Sequence, residues 1–161
     1  MKNKIERSLT IIFATCALLA TGFLFRSCSA TLPSPKSGIE IERVVFNEIN
    51  ELRGKNGLEP VKINRTLEKS AMLKARDMDE KGYWSHTAPD GTTPWTLIKQ
   101  AGYVYDYAGE NLAKNYWDAP NLVKAWLDSP KHKEVMLTPQ YRDIGIATSG
   151  KYTVAHFGRQ P

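Results

Sequence analysis

Residues 31–161 contain no cysteine, because the two cysteines of the chain are Cys16 and Cys28, both near its start. The body therefore has no disulfide, no thiolate metal site and no cysteine nucleophile. It also has no His-Glu-x-x-His helix, no glycine-rich phosphate loop and no Gly-x-Ser-x-Gly elbow. The local signatures of zinc proteases, nucleotide binding and serine hydrolases are thus missing, and Ser85 is left without the setting of a nucleophile. No internal repeat and no low-complexity tract occurs, which excludes solenoids and disordered interaction tails. Nor is there a large excess of one charge where it would matter. The net charge is +5, but residues 1–30 hold four Lys or Arg against one Glu, and the rest of the chain holds 18 basic against 16 acidic residues. A nearly balanced body gives no reason to expect a nucleic-acid partner.

What is present is enough for one folded domain: 161 residues, 42% of them apolar and 10% aromatic, a length that buries a core without metal or disulfide support. Lys2, Lys4 and Arg7 precede an uncharged run over residues 9–25, the layout of an export signal. The small residues Ser27, Ser29 and Ala30 offer a cleavage site after Ala30. The run is also just long enough to serve as a retained membrane anchor, and both outcomes carry the body out of the cytoplasm. Arg26 stands shortly before Cys28, against lipidation there. The expected organisation is a signal peptide or anchor over residues 1–30, a Pro- and Ser-containing linker over 31–38, and a domain over 39–161.

Ser37 with Glu40 forms a capping box for a first helix, whose apolar positions Ile41, Val44, Val45, Ile49 and Leu52 recur until Gly54 and Gly57. A second helix runs from Asn64 to Gly82 with Leu67, Ala71, Ala75 and Met78 on one stripe, and Lys69, Lys74, Arg76, Asp77 and Glu80 are expected on its solvated face. Thr93-Pro94 opens a third helix that ends at Gly102. Residues 108–113 read as a short strand or bend. Asp118 and Pro120 open a fourth helix with Leu122, Val123, Trp126 and Leu127 inward, and Ser129-Pro130 ends it and begins a turn or short helix. Residues 143–148 and 152–157 form a hairpin around Gly150. Helices first and a hairpin last predict an α+β fold.

Three residues stand out chemically. His86 lies on the loop after the second helix, in Tyr-Trp-Ser-His followed by the turn Pro89-Asp90-Gly91. Glu110 sits between Gly109 and Asn111 outside any amphipathic stripe. His132 falls in the first turn after Pro130, where the positive helix end favours a neutral imidazole. Two imidazoles and a carboxylate can exchange protons or supply the protein half of an open zinc site. Spacing alone leaves a plainer set of roles open: His86 bonded to the following turn, Glu110 accepting backbone N–H groups and His132 as a helix-start residue. His156 reads as a packed strand histidine on the face of Val154. The four tryptophans read as core and cleft wall, with Trp84 beside His86 the best candidate for stacking on a ligand.

Residues 50–53, Ser85-His86 with Pro89-Asp90-Gly91, Gly109-Glu110-Asn111-Leu112, Ala125-Trp126 with Ser129-Pro130 and His132, and Ile144-Gly145-Ile146 occur together in this order. In them the chain resembles bacterial members of the CAP superfamily, the SCP or TAPS domain, over roughly residues 39–158. The resemblance implies a three-layer α-β-α sandwich with a central antiparallel sheet and a cleft lined by two histidines and two acidic residues, which in some members bind zinc or another divalent ion. Carried over by position, His86, Glu110 and His132 are the candidate cleft, metal or catalytic residues. Ser129 stands where animal members have the second glutamate, and the neighbouring Asp128 points about 100° away on a helix. The implied function is an exported module whose cleft, with Trp84 and Ser129 on its wall, binds a small ligand, lipid or cell-envelope component. The competing reading is a metal- or histidine-assisted hydrolase of envelope polymer or peptide.

Overall fold

Residues 38–161 are described by the structure, a computed structural model. The expected leader and nearly all of the expected linker, Ser37 included, lie outside the described residues. The elements are α1 (Gly38–Lys55), β1 (Lys62–Ile63), α2 (Arg65–Lys81), α3 (Pro94–Ala101), β2 (Tyr107–Lys114), α4 (Ala119–Asp128), α5 (Pro130–Leu137), β3 (Asp143–Ser149) and β4 (Tyr152–Arg159). No helix among the described residues is long and apolar enough to cross a membrane.

The sheet has the order β1-β3-β4-β2, with β3, β4 and β2 antiparallel and the two-residue β1 added in parallel beside β3. Its alternating side chains divide the core into two layers. Ile144, Ile146, Ala155, Phe157 and Ala113 face α1, α4 and Met136 of α5. Ala147, Val154, Leu112 and Tyr152 face Ala71, Ala75 and Met78 of α2. Helices on both faces of one sheet make the α+β sandwich that the sequence predicts.

Helix α2 forms for reasons written at both of its ends. The Asn64 side chain accepts the N–H groups of Thr66 and Leu67, and Gly82 at φ 69° closes the helix in the left-handed region. The helix lies unusually close to the sheet. A Cβ on Gly145 would stand 2.0 Å from the Leu67 carbonyl carbon and the Glu68 nitrogen, so only glycine fits beneath this turn. Leu67, Ala71, Ala75 and Met78 are fully buried as expected. Burying Leu67 and Met78 contributes about 1.5–3 kcal/mol each.

Lys74 corrects the expected surface of this helix: it is fully buried. It stands three residues after Ala71 and four before Met78, on the inward stripe, and its ammonium donates to the Tyr83 hydroxyl (3.0 Å) and the His86 carbonyl (2.6 Å). Two further elements are more regular than the sequence suggested. Residues 107–114 form a full edge strand, and the segment after Ser129 is an eight-residue helix.

On the other face, the 50–53 segment is a set of pins. Asn50 exchanges two hydrogen bonds with the backbone of Val61 (3.0 and 2.8 Å). Arg53, also fully buried, donates to the carbonyls of Glu59, Met136, Thr138 and Tyr141 at 2.9–3.2 Å. These bonds hold the chain between α5 and β3, and with it Tyr141, in place.

Candidate functional site

His86 is delivered to β2 by its own loop. Asp90 accepts the Thr92 N–H (2.9 Å), Gly91 N–H donates to the Ala88 carbonyl (2.9 Å), and Lys81 ties Asp90 and Asp77 to the end of α2 (2.9 and 2.6 Å). The turn thus holds itself together, and the imidazole is spared from that task. Lys74 fixes the His86 carbonyl from below. Burial keeps the Lys74 ammonium below its ordinary pKa, against the opposing pull of the Glu110, Asp77 and Asp90 carboxylates.

The His86 ring meets Glu110 instead, with Nδ1 2.6 Å from Oε1. The other carboxylate oxygen, Oε2, lies 2.9 Å from Nε2 of His156, whose Nδ1 lies 2.7 Å from the Ser70 hydroxyl. Ser70 in turn donates to the Leu67 carbonyl (2.8 Å). A single polar chain therefore runs from α2 along the α2 face of the sheet, across β4 and β2, to the surface. Its exposure is graded: the His86 side chain is 57% exposed, Glu110 2% and His156 0%. Burial alone would raise the Glu110 carboxyl, but the hydrogen bonds from His156 and His86, with the charges of His156 and Lys74, hold it below the usual range, so it is ionised at neutral pH. An ionised carboxylate only accepts, so Nδ1 of His86 donates to it. In the neutral ring that leaves the lone pair of Nε2 for whatever enters the cleft.

His156 is the residue that sequence reasoning set aside. It is packed, as expected of a strand histidine, yet it stands directly opposite Glu110 across the β2–β4 ladder and opposite Gly145 across β3–β4. The close seat of α2 over Gly145 brings Ser70 within reach of it.

The remaining sequence candidates lie farther along β2. Asn111 donates to the His132 carbonyl (3.0 Å) and so positions the first turn of α5. The His132 ring makes no hydrogen bond among the described residues. Burial, and next the nearby His86, keep its pKa below the ordinary value, in the direction the helix start predicts. Ser129 starts α5 without a side-chain capping bond. The exposed Asp128 pairs with Lys124 (2.6 Å), away from the cleft.

These side chains frame two neighbouring pockets. The first, about 380 Å³, is lined by His86, Thr87, Thr93, Pro94, Trp95, Ala108, Gly109, Glu110, Val135 and Tyr141. Gly109 is required there, since a Cβ would overlap the Tyr141 hydroxyl. The second, about 400 Å³, holds Trp84, Lys114, Ser129 and His132 over Leu112, Ala113 and Trp126. The structure thus joins His86 to Glu110 directly and sets His132, Ser129 and Trp84 together next to them.

The donor set does not fit a resident metal ion as placed. Both Glu110 oxygens are engaged by imidazoles, Ser129 supplies no carboxylate, and no group of three or more His, Cys, Asp or Glu side chains among the described residues is arranged to hold an ion. What the site can do is accept a hydrogen bond or a proton at an oriented imidazole beside a mostly apolar pocket.

A model of the cysteine-rich secretory protein family, CAP, matches residues 46–156. The Bacillus subtilis protein YkwD is 37% identical over 118 residues, which cover 73% of this chain and 46% of YkwD. An outer surface protein of Borrelia burgdorferi superposes with a TM-score of 0.70 at 31% identity, covering 76% of this chain and 94% of that one. An extracellular protein of Bacillus anthracis containing an SCP domain superposes with a TM-score of 0.74 at 23% identity, covering 76% of this chain and 41% of that one, and shows the fold. The chain spans less than half the length of YkwD and of the Bacillus anthracis protein.

Proposed function

The chain belongs to the cysteine-rich secretory protein (CAP) family, and on that premise we propose that it is an exported binding module whose cleft takes a small ligand, lipid or cell-envelope component through His86. One observation carries this reading. An imidazole that is more than half exposed is held at a fixed angle by a buried carboxylate, at the mouth of a pocket of about 380 Å³. Pockets of a few hundred Å³ with few convergent polar groups suit small ligands. Trp95, Pro94, Val135 and Tyr141 supply the apolar wall, and Thr87 and Thr93 add hydroxyls. The export signal expected at the N-terminus, and the likeness to an extracellular and an outer surface protein, support a location outside the cytoplasm. Whether the N-terminal segment is cleaved or anchors the domain is part of the same proposal.

The test is native mass spectrometry of the exported protein, which reports cleavage, bound metal and co-purified ligand together, followed by melting curves with envelope lipid and polymer fractions. The expected result is a ligand-dependent rise in melting temperature that His86→Ala abolishes. No rise with any fraction, and no co-purified molecule, would end the proposal.

A hydrolase is the second reading, favoured by the His86–Glu110 pair, in which an oriented imidazole could take a proton from water. Cleavage of envelope polymer or peptide in wild type but not in His86→Ala would establish it, and equal activity in both would exclude it.

A further inference from the structure

The second pocket has a composition of its own. Trp84 is 45% exposed although large and apolar. It stacks on Tyr152, with ring centroids 5.9 Å apart and planes 26° from parallel, so one side of the indole is held against protein while much of the side chain stays open. Beside this stack stand two cations, Lys114 and Lys151, with their ammonium groups 5.7 and 5.6 Å from the centre of the Tyr152 ring. Neither meets a carboxylate among the described residues, in contrast to Lys55, Lys81 and Lys124. Lys114, Tyr116, Ser129 and His132 all line the pocket with Trp84. A flat aromatic face binds the apolar face of a ring, neutral hydroxyls exchange hydrogen bonds, and unpaired ammonium groups call for an anion.

A peptide fits less well. β2 is an edge strand, which could in principle accept an added strand. Gly109 to Ala113 are buried, however, and the Trp126 indole already donates to the Leu112 carbonyl (2.9 Å). The strand edge is closed where an extended peptide would have to pair.

We propose that this pocket is a subsite for an acidic saccharide, with a sugar ring on Trp84, its carboxylate or phosphate against Lys114, and its hydroxyls toward Ser129 and His132. The proposal rests on the reading of the cleft as a binding site and names its ligand class. The two pockets follow each other along β2, with Gly109 in the first and Ala113 in the second. Four residues of strand separate these positions by roughly 13 Å, so amide shifts at each tell which pocket a probe occupies.

The test is titration of the full chain, followed by amide NMR shifts and tryptophan fluorescence. The carboxylate-bearing probe is the disaccharide N-acetylglucosaminyl-N-acetylmuramic acid, the neutral one is diacetylchitobiose, the phosphate-bearing one is glucose 6-phosphate, and vesicles containing phosphatidylglycerol form the fourth arm. The expected result is at least tenfold tighter binding of a carboxylate or phosphate sugar than of the neutral one, with shifts at Ala113, Lys114 and Ser129, weakening as salt rises. The two acidic sugars distinguish which anion is preferred. Trp84→Ala, and separately Lys114→Gln, should each lower that affinity tenfold or more in a chain that still melts cooperatively. Equal affinity for neutral and acidic sugars, no sugar binding, or binding of vesicles alone overturns the saccharide proposal. Shifts confined to Gly109 and Thr93 overturn it while leaving the cleft reading intact, and no response to any probe at either pocket counts against both.

Discussion

The graded burial of the polar chain predicts that its two histidines have opposite uses, and alanine at each separates them. In His156→Ala the lost ring is fully buried and bonded at both nitrogens. The substitution leaves one oxygen of a buried carboxylate unpaired, which costs about 1.5–3 kcal/mol for a charged group. It also opens a cavity under α2, for about 2–3 kcal/mol more. Together these come to about 3.5–6 kcal/mol, a large share of the roughly 5–15 kcal/mol typical of a whole domain. In His86→Ala the ring is more than half exposed, and water reaches the freed Glu110 oxygen through the opening it leaves. The cost there is about 1 kcal/mol. Glu110→Ala falls between them at about 3 kcal/mol, because His156 loses its partner inside the protein while His86 regains water. Urea denaturation of the three variants, fitted with a common slope, should rank the midpoints in that order. Ligand binding should rank differently, with His86→Ala losing it while remaining folded. If His86→Ala destabilises as much as His156→Ala, or if His156→Ala lies within about 1 kcal/mol of wild type, the division of labour argued from burial is wrong.

Three further outcomes can be checked with less labour. Gly145→Ala should prevent folding or lower the melting temperature by more than 10 °C, about 3 kcal/mol or more for a domain of this size, since the new methyl meets α2 backbone and not a movable side chain; a normal melting curve would contradict the close packing. Arg53→Met removes four hydrogen bonds to backbone carbonyls and should cost about 3–5 kcal/mol, with hydrogen exchange rising first between Met136 and Tyr141. On acidification stability should fall in two stages. The folded state takes up a proton at His132 less readily than the unfolded chain, so stability is lost as pH drops below the ordinary value of 6.5. The contribution of Glu110, whose folded pKa is depressed, is present above 4.5 and disappears as pH falls through its lower folded value. The His132→Ala variant should lack the first stage in urea midpoints taken from pH 8 to 3.

Much of this protein could be read locally. Asn64, Gly82 and Thr93 announce the ends of α2 and the start of α3 because capping is a matter of neighbours in the chain. His86 and Glu110 stood out because neither belongs to an amphipathic pattern, and the structure joins them at 2.6 Å. Lys74 was also legible: positions 67, 71, 74 and 78 keep helical spacing, and its charge distracted from the position it occupies. His156 was not, because its meeting with Glu110 depends on strand pairing 46 residues apart, and no local pattern carries that register. Ser129-Pro130 announced the start of α5, but the run of Lys131, His132, Lys133 and Glu134 left its length open, since its apolar contacts come chiefly from Val135 and Met136.

The row Gly145, His156 and Glu110 crosses three strands at one level. A slip of one residue in either ladder would turn a carboxylate or an imidazole toward the apolar layer of α1 and α4, and would set a side chain against the backbone of α2 where glycine now lies. The polar row therefore favours one register in both ladders, through the same contacts that orient His86.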